Sequence, residues 1–169
     1  MSLMTSKTEL HHTGLKTVLE RRQQQTIKSV VSLFKERFIK ENIEDKPTTF
    51  WIQQYNELLD RLYDVFAYQP HSNPDLSHVM NVPYALTEVY QQKNTDYGDS
   101  FTISMEEFGL YASIVRLSDK INRLAQLTRD DSKQLVADEK VEDTILDAIN
   151  YAQMTLTYLN AQPANTLTE

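Results

Sequence analysis

Two runs of charged side chains could do chemistry. In the first, Arg116, Asp119, Lys120 and Arg123 fall within roughly 100° of one another when wound as an α-helix. In the second, Glu139, Asp143, Asp147 and Asn150 fall within roughly 80° by the same count, with Glu142 at the margin. A hard cation such as Mg²⁺ takes carboxylate oxygens together with water and substrate phosphate, so a stripe of four oxygen-bearing side chains suits it. A basic stripe on the preceding helix could neutralise a polyphosphate. The two together would make a metal-and-phosphate cleft, in which a bound cation polarises a phosphoryl oxygen and activates water. The ordinary alternative is that both stripes are solvated faces, since each lies opposite an apolar stripe. Asp143 and Asp147 form an i, i+4 like-charge pair, which costs a few tenths of a kcal/mol on an isolated helix and hints at a nearby cation.

Several other chemistries are excluded. The chain has no cysteine, which removes disulfides, zinc ribbons and thiol catalysis. Its three glycines, Gly14, Gly98 and Gly109, are too scattered for a glycine-rich phosphate loop. His11, His12, His71 and His78 show no metal-ligand spacing, and no Gly-x-Ser-x-Gly elbow occurs. Net charge is −7, unevenly spread: residues 1–50 carry nine Lys/Arg against six Asp/Glu, residues 51–169 eight against eighteen. An acidic body disfavours direct nucleic-acid binding, which needs cations against phosphates. No apolar run reaches the ~20 residues of a membrane span, and no signal-peptide core is present, so a cytoplasmic protein is expected.

The elements that must position these side chains are helices. Residues 8–41 read as one long helix or two collinear ones, with Ile27, Val30, Val31, Phe34 and Phe38 in a stripe. Pro47-Thr48-Thr49 supplies a start for a helix carrying Trp51, Tyr55, Leu58, Leu59, Leu62 and Phe66 on one face. Prolines at 70, 74 and 83 mark a loop, with Pro83 placed to open a third helix that runs to about Asn94. Thr95 to Asp99 is a turn in which Gly98 can take positive φ. Ser104-Met-Glu-Glu107 has the form of a capping box, with Ile103 and Phe108 as its staple, opening a helix striped by Leu110, Ile114, Leu117, Ile121 and Ala125. Thr128 to Lys133 reads as a linker. Val141, Ile145, Ala148, Ile149, Ala152 and Leu156 define a last helix. The expectation is an all-α, antiparallel bundle of about five helices with a long N-terminal arm. It divides into an N-terminal helical extension (1–75), a body (76–160) and a frayed tail (161–169).

An ordered set of motifs carries a resemblance. Lys93-Asn-Thr-Asp96-Tyr97-Gly98-Asp99-Ser100-Phe101 is followed by Phe108-Gly109 and Arg116-Leu-Ser-Asp119-Lys120-Ile-Asn-Arg123-Leu124. Then comes Glu139-x-x-Glu142-Asp143-x-x-x-Asp147-x-x-Asn150-Tyr151. Over residues 80–158 this resembles the phage and bacterial family called nucleotide modification associated domain 1. Its general look is similar to the all-α nucleoside triphosphate pyrophosphohydrolases of the MazG type, which use Glu-x-x-Glu and Glu-x-x-Asp on successive helices to hold Mg²⁺ and release pyrophosphate. The resemblance implies a Mg²⁺-dependent protein that binds, and could hydrolyse, a (deoxy)nucleoside triphosphate. Glu139, Glu142, Asp143 and Asp147 would be the metal and catalytic carboxylates, with Asn150 orienting. Lys93, Arg116, Lys120 and Arg123 would contact phosphate, and Asp96 and Tyr97 the nucleoside. Such enzymes assemble into dimers or larger oligomers. The competing reading is a non-enzymatic helical adaptor or regulator that dimerises through its N-terminal helices.

Overall fold

The computed structural model describes residues 5–67, 99–127 and 141–163, and every regular element among them is helical. The elements are α1 (Thr5–Phe34), α2 (Thr48–Ala67), α3 (Ser100–Phe108), α4 (Leu110–Leu127) and α5 (Val141–Ala161). The third helix expected after Pro83 lies outside the described residues, as does the Thr128–Lys133 linker.

The four long helices close a ring: α1 packs on α2, α2 on α5, α5 on α4, and α4 back on α1. Each does so because its apolar residues recur every three or four positions and must leave water together. On α2 the whole expected stripe is buried, with Trp51, Tyr55, Leu58 and Leu62 at 1% exposure or less. Full burial of such a side chain stabilises by about 1.5–3 kcal/mol, so this face alone outweighs any propensity term in placing α2. Ile114, Leu117, Ile121 and Leu124 of α4 and Ile145, Ala148, Ile149 and Ala152 of α5 complete one continuous core with Ile27, Val30, Leu33 and Phe34 of α1.

Beyond Phe34 the chain widens into a π-helical turn, Lys35–Ile39, closed by Lys40 N–H donating to Lys35 O at 3.2 Å. Phe38 is buried within this turn. It stacks on Phe34 at 5.1 Å and meets the Tyr55 ring edge-on at 5.0 Å. A 3₁₀ turn at Ile43–Asp45, with the Asn42 side chain accepting from Glu44 N–H, then leads into α2. Arg61 of α2 ties back to α1 by donating to the Ser29 carbonyl and hydroxyl, both at 3.1 Å. Because Phe38 touches Trp51 and Tyr55 while Ser29 meets Arg61, α1 and α2 run antiparallel.

The capping box at Ser104 is not used. The helix begins earlier, at Ser100, after Asp99 in the left-handed region (φ 64°). Thr102 Oγ1 donates to the Asp99 carboxylate at 2.8 Å, and the Ser104 hydroxyl donates to Ser100 O in mid-helix. Burial of Phe101 and Met105, one turn apart, explains the early start: a helix opening at Ser104 would leave that pair without a shared face. Ile103 and Phe108 form no staple; both are exposed. The helix expected to run through Gly109 instead breaks there, at φ 61° and ψ −151°, a conformation open essentially to glycine alone. Nothing stands within 4 Å of where a Cβ would be, so the constraint is in the backbone and not in a close neighbour.

Candidate functional site

The two charged stripes meet. Along the α4–α5 interface Ser113 pairs with Thr155, Arg116 with Tyr151, and Lys120 with Asp147. Each step of three or four residues up α4 is matched by four residues down α5, which is the signature of antiparallel helices in register. The contacts grade from dry to wet. Ser113 and Thr155 are fully buried, Arg116 and Tyr151 half-buried, and the Lys120 and Asp147 side chains 25% and 30% exposed. The Lys120 ammonium lies 2.9 Å from an Asp147 carboxylate oxygen. Continued at the same spacing, this register would set Arg123 level with Asp143.

Arg116 is held by an aromatic. Its guanidinium sits 5.6 Å from the centroid of the Tyr151 ring and reaches the phenolic oxygen at 3.4 Å, a cation–π contact with a long hydrogen bond added. The other side of the picture is Phe101 of α3, whose ring lies 6.0 Å from that of Tyr151. The short helix is thereby tied to the seam.

At the dry end the hydroxyls form a chain whose direction can be read. Thr155 Oγ1 donates to its own helix at Tyr151 O, 2.7 Å away. With its single proton committed there, Thr155 must accept from Ser113 at 2.6 Å, and Ser113 in turn from Tyr55 at 2.7 Å. Burial raises the Tyr55 pKa far above the ordinary phenol value, although its hydrogen bonds to the two hydroxyls oppose the shift. Half-burial likewise raises Tyr63, whose oxygen accepts from Gln153 Nε2 at 2.6 Å.

The acidic stripe is less uniform than helical spacing implies. Asp143 is exposed, Asp147 half-buried and Asn150 buried, so the stripe runs from solvent into the protein over about 10 Å. Asn150 Oδ1 has no hydrogen-bond partner. Glu142 is half-buried but, being adjacent to Asp143 in sequence, points roughly 100° away from it. Among the described residues no three His, Asp or Glu side chains gather as a ready-made metal cage. Glu139, Lys93, Asp96 and Tyr97 lie outside the described residues. What is present fits a cation that keeps its waters and substrate phosphates and takes only one or two protein carboxylates, as Mg²⁺ does. Asp143 and Asp147, one turn apart, would be those two.

One feature beside the seam escaped the reading of spacing. Ser104 and Phe108 of α3 and Tyr111, Ala112, Val115 and Arg116 of α4 line an open pocket of about 340 Å³. Its apolar members were hidden in a sequence where Phe108 looked like the staple of a capping box. A second pocket, of about 350 Å³, lies between the end of α1 and Ser118, Ile121 and Asn122, on the flank of α4 turned away from the basic stripe.

Residues 93–159 match the family model of nucleotide modification associated domain 1. The matched segment contains α3, α4 and α5 entire but for the last two residues of α5, and so the whole seam. No curated protein and no solved structure matches the chain.

Proposed function

Starting from a seam that lies wholly within a nucleotide modification associated domain, we propose that this protein binds a nucleoside polyphosphate, together with Mg²⁺, along the α4–α5 seam. The observation that carries the reading is the 2.9 Å pair of Lys120 and Asp147, which joins the basic stripe to the acidic one. Without ligand the two charges neutralise each other at a half-buried position. With ligand, Asp147 and Asp143 turn to the cation, and Lys120, with Arg116 and Arg123, turns to phosphate. One ion pair is exchanged for two, and no charge is left unpaired in a partly desolvated place. Breaking the pair for cation or phosphate alone leaves one partner uncompensated, so binding requires both. The bound cation would polarise a phosphoryl oxygen and so assist attack by water. The reaction that fits is cleavage of a (deoxy)nucleoside triphosphate to monophosphate and pyrophosphate. Glu139 and Glu142 would add carboxylates at the exposed end of the stripe, and Lys93, Asp96 and Tyr97 would approach the nucleotide from the segment before α3.

The experiment is a thermal-unfolding panel on the full chain with Mg²⁺ alone, nucleotides alone and the two together, across canonical and modified triphosphates. Stabilisation is expected only with both; saturation at about a hundred times Kd corresponds to ~2.7 kcal/mol. Asp147→Asn and Lys120→Met should each remove it while leaving helicity unchanged. A panel in which no nucleotide stabilises the protein in the presence of Mg²⁺ overturns the reading. The adaptor reading has less support: the apolar faces of Ile27–Phe38 and Trp51–Phe66 are buried within this chain's own bundle.

A further inference from the structure

We infer that the pocket between α3 and α4 takes the base of the bound nucleotide, stacking it on Phe108 and Tyr111 while Arg116 hands the chain of phosphates on to the seam. The inference rests on the proposed function and adds the part of the site that would recognise the nucleoside.

Large apolar side chains left in water need a reason, and here they are concentrated. Ile103, Phe108, Tyr111 and Val115 are 49%, 65%, 54% and 59% exposed. These four, on adjoining helices, account for most of the large hydrophobic groups left exposed among the described residues, and three of them line the pocket between α3 and α4. Their exposed portions amount to roughly 400 Å² at the usual size of these side chains, within the range where surface patches are commonly functional. That is about half of the ~800 Å² per partner that a stable protein interface buries. It suits a flat molecule of base size. A pocket of about 340 Å³ falls at the small end of ligand sites. Two aromatic rings in its wall supply stacking surfaces that accept any base.

Arg116 fixes the polarity of the site. It belongs both to the pocket and to the seam, and its position is set by the Tyr151 ring. Lys120 follows about 6 Å along the α4 axis and Arg123 about 10.5 Å, the helical rise of four and seven residues. A nucleoside triphosphate whose base lies in the pocket would therefore meet Arg116 at its first phosphate and the Lys120–Asp147 pair further out, where the cation belongs. The pocket between α1 and α4 has cations of its own, Lys35 and Lys40, but they lie beyond the end of α1, and its α4 residues, Ser118, Ile121 and Asn122, do not lead on to the charged seam.

The test measures affinity, with Mg²⁺ present, for a deoxynucleoside triphosphate and for inorganic tripolyphosphate, which lacks base and sugar. Both side chains are more than half exposed, so Phe108→Ala and Tyr111→Ala should fold normally. Each should weaken nucleotide binding about tenfold (~1.4 kcal/mol) and leave tripolyphosphate unchanged. Phe108→Trp should restore the nucleotide affinity. Arg116→Ala should weaken both ligands. Unchanged nucleotide affinity in both alanine variants, with tripolyphosphate still bound, overturns the base pocket and leaves the seam reading intact. Equal losses for the two ligands overturn it as well. Failure of the wild-type protein to bind either ligand removes the proposed function, and the base pocket with it. A shift from dimer to monomer on sedimentation of the alanine variants, without an effect on nucleotide, assigns the patch to self-association instead.

Discussion

Ser113→Ala should cost more stability than Tyr55→Phe, although both remove one oxygen from the same buried chain. The asymmetry follows from the direction of the protons. Tyr55 donates to Ser113, Ser113 to Thr155, and Thr155 to Tyr151 O. In Tyr55→Phe the Ser113 proton keeps its acceptor, and one neutral hydrogen bond is lost, about 1 kcal/mol. In Ser113→Ala the phenol proton of a completely buried residue loses its close acceptor at 2.7 Å and keeps only the weaker contact with Thr155; a buried donor so nearly orphaned costs up to about 1–3 kcal/mol beyond the bond itself. The space left by one oxygen is smaller than the ~30 Å³ a water occupies, so solvent cannot repair the loss. The expected destabilisation is about 2–3 kcal/mol, against about 1 for Tyr55→Phe. For a chain of this size that is roughly 5–10 °C of Tm against 2–4 °C. The double variant should be more stable than Ser113→Ala alone, because removing the phenol removes the orphan. Urea unfolding followed by far-UV circular dichroism resolves these differences. A Tyr55→Phe loss equal to or larger than that of Ser113→Ala, or simple additivity in the double variant, would refute the proton order.

Tyr55 and Tyr63 both have raised pKa values, so the unfolded chain loses its phenol protons first as pH climbs past about 10. Stability should hold through neutral pH and then fall by up to ~1.4 kcal/mol per pH unit for each protected tyrosine, and Tyr55→Phe should flatten that fall in urea titrations from pH 9 to 11. Gly109→Ala should destabilise by about 1–3 kcal/mol from backbone strain alone. It should also change near-UV circular dichroism, because the aromatics on either side of the break would be re-aimed; an unaltered Tm would show that α3 and α4 tolerate another junction.

Much of this could be read from residue spacing, and what could not has a common cause. The faces of α2, α4 and α5 were legible because each has several large apolar residues at helical intervals, and burying them dominates any local preference. The start of α3 was misread because Ser104-Met-Glu-Glu107 is a good local signal, worth about 1 kcal/mol at a helix end. Burying Phe101 and Met105 is worth more. Gly109 lay beside a convincing periodic stripe and passed for a tolerated helical glycine, although a break there lets α3 fold back toward the Tyr151 ring. Arg116 to Arg123 lie on α4 and Asp143, Asp147 and Asn150 on α5, as their spacing implies, yet one helix's periodicity carries no information about its neighbour. That Lys120 faces Asp147 needs the pairing of α4 with α5, and the burial of Asn150, on the same stripe as the exposed Asp143, is a fact of tertiary structure alone.

The regular spacing of the α4–α5 ladder bears on how the two helices find their alignment. Slide α5 by one turn, about 5.4 Å, and Lys120 would face Asp143 while Arg116 faced Asp147. Both pairs are of opposite charge, so electrostatics is nearly indifferent to the slip. The hydroxyls are not indifferent: Ser113, fully buried, would be asked to face the ring of Tyr151 and would lose Thr155. Coarse attraction between the stripes thus leaves two alignments open, and a pair of small buried side chains selects between them. Exchanging Ser113 and Thr155 for apolar residues of similar size would remove this selection from the α4–α5 seam and leave the Tyr63–Gln153 contact and the α2–α5 core to hold the alignment.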